Sequence, residues 1–386
     1  MVRGGHAAAR CGVTRTSPIR VIHTLGNLRP SGAERMLACS RSEWARVGIE
    51  PIVVGMADGE HPYAAVLQSA GYQVRLLPSN RTVRGLLALR RVLRELRPAV
   101  LHLHEEQMFH YVSALAVSVR PRPAIVRSIH AMFEYPPDLA RRRRRRNRIA
   151  DALGVAAVPC SLEVAAHERR RFGTSIAATV ENWVDAATMG AVSEVDGRAM
   201  RASLAIPPDA LVVALLGNCA PGKGHGLLLD ALPHVRRPVV VLHAGHESGA
   251  DSAERDAWAR VSAPHLLRRL GPVAQIAQLL ASADMVAIPS VREGFALVAA
   301  EALCVGTPVM ASLSAGLYWL SDFATAQLVP RDPRLWAEAL TCAPTHRCLD
   351  HSADRERAKR RFSARRGVED WLAVYDRALS ARERLP

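Results

Sequence analysis

The sequence predicts two doubly wound α/β domains that face each other across a cleft, and three observations carry the prediction. Short apolar runs alternate with amphipathic stretches of helical period almost throughout. The runs are apolar on both faces, as strands of a parallel sheet covered by helices on each side must be. The pattern stops at a polar stretch near the middle and then restarts, in a chain of 386 residues, about two to three times the usual single domain.

Taken in order, residues 1–17 are basic and lack an apolar stretch, so they read as a loose tail and not a signal peptide. Strands are expected at 19–25, 51–56, 73–78, 99–104, 124–130 and 155–160, each followed by a helical pattern such as TVRGLLALRRVLREL at 82–96. These build a first domain over 18–190. Residues 191–210, polar and closed by a Pro-Pro pair, read as a linker. Strands at 211–217, 238–245, 265–271, 284–290 and 307–312 build a second domain over 211–360. The charged helical stretch 361–386 is expected to pack back toward the first domain. In open sheets of this kind ligands bind outside the carboxyl ends of the strands, so the loops just after the strands are the places to search.

Composition narrows the function classes. Apolar residues make up 49% and charged residues 23%, which excludes disorder, collagen-like repeats and coiled coil as the main state. Residues 1–185 carry 28 basic and 15 acidic groups, a net +13, whereas residues 186–386 carry 23 and 21, a net +2. A basic half beside a near-neutral one points to an anionic partner on one side only. Seven scattered cysteines that never form a CxxC pair argue for a reducing compartment, with neither a disulfide framework nor a zinc site. No apolar run approaches the roughly 20 residues that span a bilayer, so a cytoplasmic protein is expected.

Two segments carry candidate chemistry. In GNCAPGKGHGLLLDAL (217–232) a strand ends at Gly217, a glycine-rich loop follows and a helix starts near His225. Such a loop brings backbone N–H groups and a helix N-terminus to a phosphate, and Lys223 adds a full charge. Lys223 is one of only two lysines in a chain that otherwise uses arginine, which favours a specific role for a compact ammonium. The spacing imitates a Walker A loop, but Gly224 stands where Mg²⁺ binding requires Ser or Thr, which argues against an NTPase. In SVREGFALVAAEALCVGTPVMAS (290–312), Glu293 precedes a helix and Glu301 lies inside it, eight residues on, or roughly 12 Å along a helical axis. That is too far for a shared proton and suits two separate hydroxyl-binding tasks, a sugar and a ribose. The N–H groups of Phe295, Ala296 and Leu297 fall at the helix start, free to face a diphosphate.

The two segments together resemble the donor domain of retaining glycosyltransferases of family 4, which have two Rossmann-like domains in the GT-B architecture. EGFALVAAEALCVGTPV is similar to that family's E-x7-E signature, and GNCAPGKGHGLLLDAL to its phosphate-binding lysine loop. RPSGAERML (29–37) resembles the glycine-rich loop after the first strand, AIVRSIHAMFEYPP (124–137) places His130 where the family often has a histidine, and ENWVD (181–185) resembles the interdomain hinge. The resemblance implies a metal-independent transfer from a nucleotide-diphosphate sugar, with no cofactor, to a glycan, lipid-linked or small-molecule acceptor in glycan biosynthesis. It also implies site residues. Lys223 would neutralise the departing diphosphate, Glu293 would contact the donor sugar, Glu301 the ribose, and His130 the reacting sugar. Gly32, Gly217, Asn218, Gly294, Phe295, Ala296 and Leu297 would complete the donor site. Asn218 stands where many members have an arginine, which would leave Arg292 or Arg268 to supply a second cation; Ala296 stands where glycine is common. A degenerate member that only binds is the alternative.

Two further features belong to the first half. His104, Glu105 and Glu106 end the strand before His130 and are candidates to line an acceptor pocket. Arg141, Arg142, Arg143, Arg144, Arg145, Arg146 and Arg148 form a run that is positive all round a helix and so suits an exposed surface facing anionic lipid. Nucleic acid is disfavoured because no zinc-finger spacing or RNA-binding aromatic signature accompanies the charge. A dinucleotide oxidoreductase is disfavoured because no GxGxxG follows the first strand.

Overall fold

The computed structural model describes residues 18–344 and 352–384; the basic tail 1–17 lies outside them. The first sheet contains β1 (Ile19–Leu25), β2 (Ile49–Met56), β3 (Gln73–Leu77), β4 (Val100–Leu103), β5 (Ala124–Ile129) and β6 (Ala156–Pro159). The second contains β7 (Leu211–Leu216), β8 (Val239–Ala244), β9 (Leu266–Arg269), β10 (Met285–Ile288), β11 (Val309–Ser312) and β12 (Ala326–Val329). Every ladder is parallel, and the orders β3-β2-β1-β4-β5-β6 and β12-β11-β10-β7-β8-β9 are one topology used twice. In both sheets the strand order reverses between the first and fourth strands, and the crevice at that point is where doubly wound sheets bind ligands. The sequence patterning did not reveal β12: AQLV is a short, half-polar edge strand with little apolar signal.

The stretch 191–210, expected to be a linker, is instead a helix docked on the second domain. Helix Glu194–Ser203 starts with a capping box formed by Ser193 and Asp196, and Arg201 binds Asp284 at 2.7 Å. A Cβ on Gly197 would sit 2.3 Å from the Ala281 carbonyl oxygen, so glycine is what lets the helix backbone touch its neighbour. The chain crosses between domains elsewhere, at Glu181–Asp185 and again near residue 362. Val184 N–H bonds Phe362 O, and Arg361 and Arg366 hold Glu181 and the Asn182 carbonyl. The final helix, Ala364–Glu383, then packs Val368, Trp371, Val374 and Tyr375 into the first domain's core beside Trp44.

Candidate active site in the interdomain cleft

A cleft of about 610 Å³ opens between the two reversal points. The first domain contributes Gly26, Asn27, Arg29 and Gly32 after β1, together with His104 and His130, and the second contributes Lys223, Glu293 and the loop leading to Leu297.

On the second-domain side, Lys223 follows a short turn in which its N–H bonds Ala220 O at 2.8 Å. Gly224 comes next in the left-handed region (φ +64°), where a Cβ would lie 2.3 Å from the Pro289 carbonyl oxygen at the end of β10. The close approach explains why this loop has glycine where a Walker motif needs a hydroxyl. It also places the Lys223 ammonium 2.8 Å from Glu293 Oε1, an oxygen that accepts from Ser290 Oγ at 2.7 Å as well. The sequence assigned these two side chains to separate groups of a donor; the structure pairs them with each other.

The loop from Glu293 to Ala296 is pinned from several sides. A Cβ on Gly294 would sit 1.9 Å from the His130 carbonyl oxygen, and one on Gly32 would sit 2.6 Å from Leu297 Cδ1. Both glycines therefore permit contact between domains. The Phe295 ring is a core residue, stacked on Trp319 at 5.1 Å, while its carbonyl accepts from the Trp319 indole. Ala296 caps helix Leu297–Val305 at φ +58°, a conformation that costs an L-residue about 1–2 kcal/mol. The reward is an N-terminus aimed into the cleft, where unpaired N–H groups and the helix dipole favour an anion.

Glu301 lies one turn and a half deeper, buried, with one oxygen paired to Arg35 of the first domain and the other without a partner. Burial raises its pKa and Arg35 opposes the rise. It lines an adjoining cavity of about 320 Å³ with Cys39, Tyr63 and Asp185, and not the main cleft. The two cavities share Gly32, Arg35 and Leu297 along their boundary.

On the first-domain side, three histidines form a chain leading away from the cleft. His130 Nε2 meets His104 Nδ1 at 3.2 Å, and His104 Nε2 meets His23 Nδ1 at 3.1 Å. Burial lowers the pKa of all three, His23 to about 3, so the chain is neutral at physiological pH. For His130 a hydrogen bond with Asn182 of the hinge opposes the shift. The chain holds the imidazole of His130 as a fixed, uncharged hydrogen-bonding group at the cleft wall.

Several expected residues lie elsewhere. Glu105 accepts from Thr24 Oγ1 at 2.9 Å and Asn80 Nδ2 at 3.2 Å, and Glu106 binds Arg127 and Arg143, each at 2.9 Å. Burial works against the Glu106 carboxylate, but the two guanidinium groups together hold its pKa below the ordinary range. Neither carboxylate lines the cleft; both are committed to framework partners. Arg143 is removed from the expected surface run as well: it is 4% exposed, binds Glu168 at 2.8 Å and lies over the Phe172 ring. Arg141, Arg142, Arg144, Arg145 and Arg148 are exposed, and Arg146 is half-buried.

Gly217 and Asn218 do not line the cleft either; the Asn218 side chain accepts from the His246 N–H at 3.0 Å and braces a neighbouring loop. Arg268 sits on β9, the far edge strand, and Arg292 pairs with Glu134 at 3.2 Å. The cations that accompany Lys223 at the cleft are Arg29 and Arg35. Their signal was present in RPSGAERML, where they flank the glycine loop, but only the glycine was singled out.

Both domains have counterparts among known proteins. The family described as Glycosyltransferase Family 4 matches residues 30–214, and that described as Glycosyl transferases group 1 matches residues 210–343. A D-inositol 3-phosphate glycosyltransferase of Saccharomonospora viridis is 36% identical over 201 residues, which is 47% of this chain and 46% of that protein. One of Mycobacterium tuberculosis is 36% identical over 206 residues, or 48% and 41%. The match thus spans less than half of each relative's length. Among solved structures, a Rickettsia africae glycosyltransferase superposes with a TM-score of 0.77 at 14% identity, covering 94% of this chain and 99% of that one. Anabaena Alr3699/HepE in complex with UDP-glucose gives 0.76 at 19% identity, covering 92% and 100%. With the two family matches meeting end to end across both domains, the chain belongs to glycosyltransferase family 4, with the GT-B architecture.

Proposed function

We propose that the chain transfers a sugar, with retention, from a nucleotide-diphosphate sugar to a hydroxyl of a glycan, lipid-linked or small phosphorylated acceptor. The observation that carries the reading is the pairing of Lys223 with Glu293 at the open N-terminus of helix Leu297–Val305, facing His130 across one cleft. Glycosyl transfer builds negative charge on the leaving phosphate and positive charge on the anomeric carbon. Lys223, released from Glu293, meets the first, together with the N–H groups at Phe295, Ala296 and Leu297; such fixed donors act only as the charge develops. Glu293, freed in turn, accepts from a hydroxyl of the donor sugar. Glu301 is the ribose acceptor in this reading, reached through the adjoining cavity once Arg35 gives way. The reading requires no metal at the diphosphate.

Two lines of support concern the ligands. A fold neighbour is described in complex with UDP-glucose, and the matched relatives are named for an inositol phosphate acceptor. An anionic acceptor suits the +13 half of the chain, whose Arg29 faces the cleft. Thermal shift against a panel of nucleotide sugars, followed by turnover of the stabilising donor with D-inositol 3-phosphate and simple glycans, tests the proposal. Stabilisation by one donor class, with turnover unchanged when Mg²⁺ is omitted, is expected. A panel in which no donor stabilises the chain or is turned over sinks it in favour of a binding module.

A second reading concerns location. No helix among the described residues is long and apolar enough to cross a membrane. Helix Pro137–Ala152, however, exposes Leu139 and Ile149 among Arg141, Arg142, Arg145 and Arg148. That combination fits peripheral docking on an anionic inner-membrane face of a cytoplasmic enzyme, with each arginine near the surface worth about 1 kcal/mol. Equal sedimentation with neutral and anionic vesicles at low salt counts against it.

A further inference from the structure

Beneath the phosphate loop lies a buried cluster that the proposed transfer does not use. Cys219 sits in the loop four residues before Lys223, His225 opens the helix two residues after it, and His243 is the last but one residue of β8. One ligand atom from each of the three falls within 4.8 Å of the other two, and all three residues are buried. Cys219 Sγ and His243 Nε2 are 3.6 Å apart. Tetrahedral zinc, with bonds of about 2.3 Å to sulfur and 2.0–2.1 Å to nitrogen, sets its sulfur and nitrogen ligands about 3.6 Å apart. The two imidazoles meet at a ring-centroid distance of 5.3 Å.

The surroundings complete such a site. Glu254, on helix Ser252–Arg260, bonds His225 Nδ1 at 2.6 Å, as an outer carboxylate does for a metal-bound histidine. His243 Nδ1 is buried without a hydrogen-bond partner, 4.0 Å from the Glu247 carboxylate. Its Nε2 faces the Cys219 sulfur, and Glu247 is the carboxylate nearest its other nitrogen. Charge also balances: one thiolate and one carboxylate neutralise a divalent cation, which is what a buried site requires.

We infer that Cys219, His225 and His243 form a zinc site, with Glu254 as its outer carboxylate, that braces both flanks of the Lys223 loop against β8. On binding, the thiol releases its proton to solvent and the imidazoles remain neutral; no oxidation or reduction is involved. The sequence argued against zinc because no ligands are paired at short spacing; here the three come from a loop, a helix start and a strand.

The test measures metal content in the full chain, after zinc loading and exhaustive dialysis. About one zinc per chain is expected for the wild type. Cys219→Ser and His243→Gln should each lower it at least ~10-fold, as loss of a ligand does, while Cys342→Ser, at an exposed cysteine, should leave it unchanged. Cobalt substitution supplies an independent readout, a near-ultraviolet thiolate-to-cobalt band that disappears in Cys219→Ser. Should that variant not fold, wild-type stoichiometry and the wild-type cobalt band decide alone. Folded wild-type protein that retains less than about half an equivalent of zinc, or a cobalt spectrum without the thiolate band, overturns the site and leaves a metal-free hydrogen-bonded cluster.

Discussion

The two walls of the cleft handle their polar groups in opposite ways. The histidine side of the first-domain wall is neutral and locked: buried His23 and half-buried His104 and His130 are uncharged and bonded in series, and the nearby carboxylates are committed to Arg127, Arg143, Thr24 and Asn80, while Arg29 and Arg35 bring this wall's charge to the cleft. The second-domain wall is charged and movable, with Lys223 40% exposed and held only through Glu293 and its ammonium. A group that must follow charge developing on a leaving phosphate has to be able to change partners. A group that shapes the pocket gains from being unable to. How each group is held therefore separates Lys223 from His130 more sharply than residue type does.

The contrast can be broken in order of effect. Replacing Lys223 with Ala should lower turnover by about 10²-fold or more with little loss of stability, by analogy with loss of one preorganised donor; steady-state kinetics beside a thermal melt separates the two, and full activity in a folded variant removes Lys223 from the chemistry. On the locked wall the order inverts. Arg143→Ala leaves Glu168, which is fully buried, and Glu106 short of a partner, and breaking such a network should cost about 3–5 kcal/mol in denaturant unfolding.

The histidine chain yields a pH dependence. In the unfolded chain each histidine titrates near 6.5, but burial keeps the folded imidazoles neutral to lower pH. Below pH 6.5 the unfolded state therefore binds more protons, and stability falls as pH falls toward the lowered folded values. The loss approaches about 1.4 kcal/mol per pH unit for each histidine. A flat melting temperature from pH 7 to 5 would contradict a buried neutral chain, and His23→Phe should make the profile shallower. The smallest effect belongs to Ala296→Gly, which should stabilise by about 0.5–1 kcal/mol through relief of the left-handed conformation, read as a rise in melting temperature.

What the residues disclosed directly was periodic or contiguous. Two rounds of alternating strands and helices, the lysine loop and the segment from Glu293 to Glu301 are local patterns, because hydrophobic period and glycine placement act within a few residues. Departures from expectation arose where ladder register or helix rotation brought distant residues together. His23 stands opposite His102 only because β1 and β4 pair in that register, which also aligns the chain to His130. Arg143, in the middle of an arginine run, turns inward because its helical phase faces Glu168 and Phe172, while its neighbours face water. Helix Glu194–Ser203 was hidden by its polarity, since Gly197 is its one buried residue and it docks through Arg201 on Asp284 and the Ser282 carbonyl.

The doubly wound fold, its repetition and the segments that carry Lys223, Glu293 and Glu301 were written in local pattern. Only the tertiary structure decided which charges are free to act. Whether Lys223 meets Glu293, Glu301 meets Arg35 or Glu106 meets Arg143 depends on separations across 70, 266 and 37 residues. Such pairing leaves no mark in local pattern, because the energy of a buried charge is set by what the folded chain brings within a few ångströms of it.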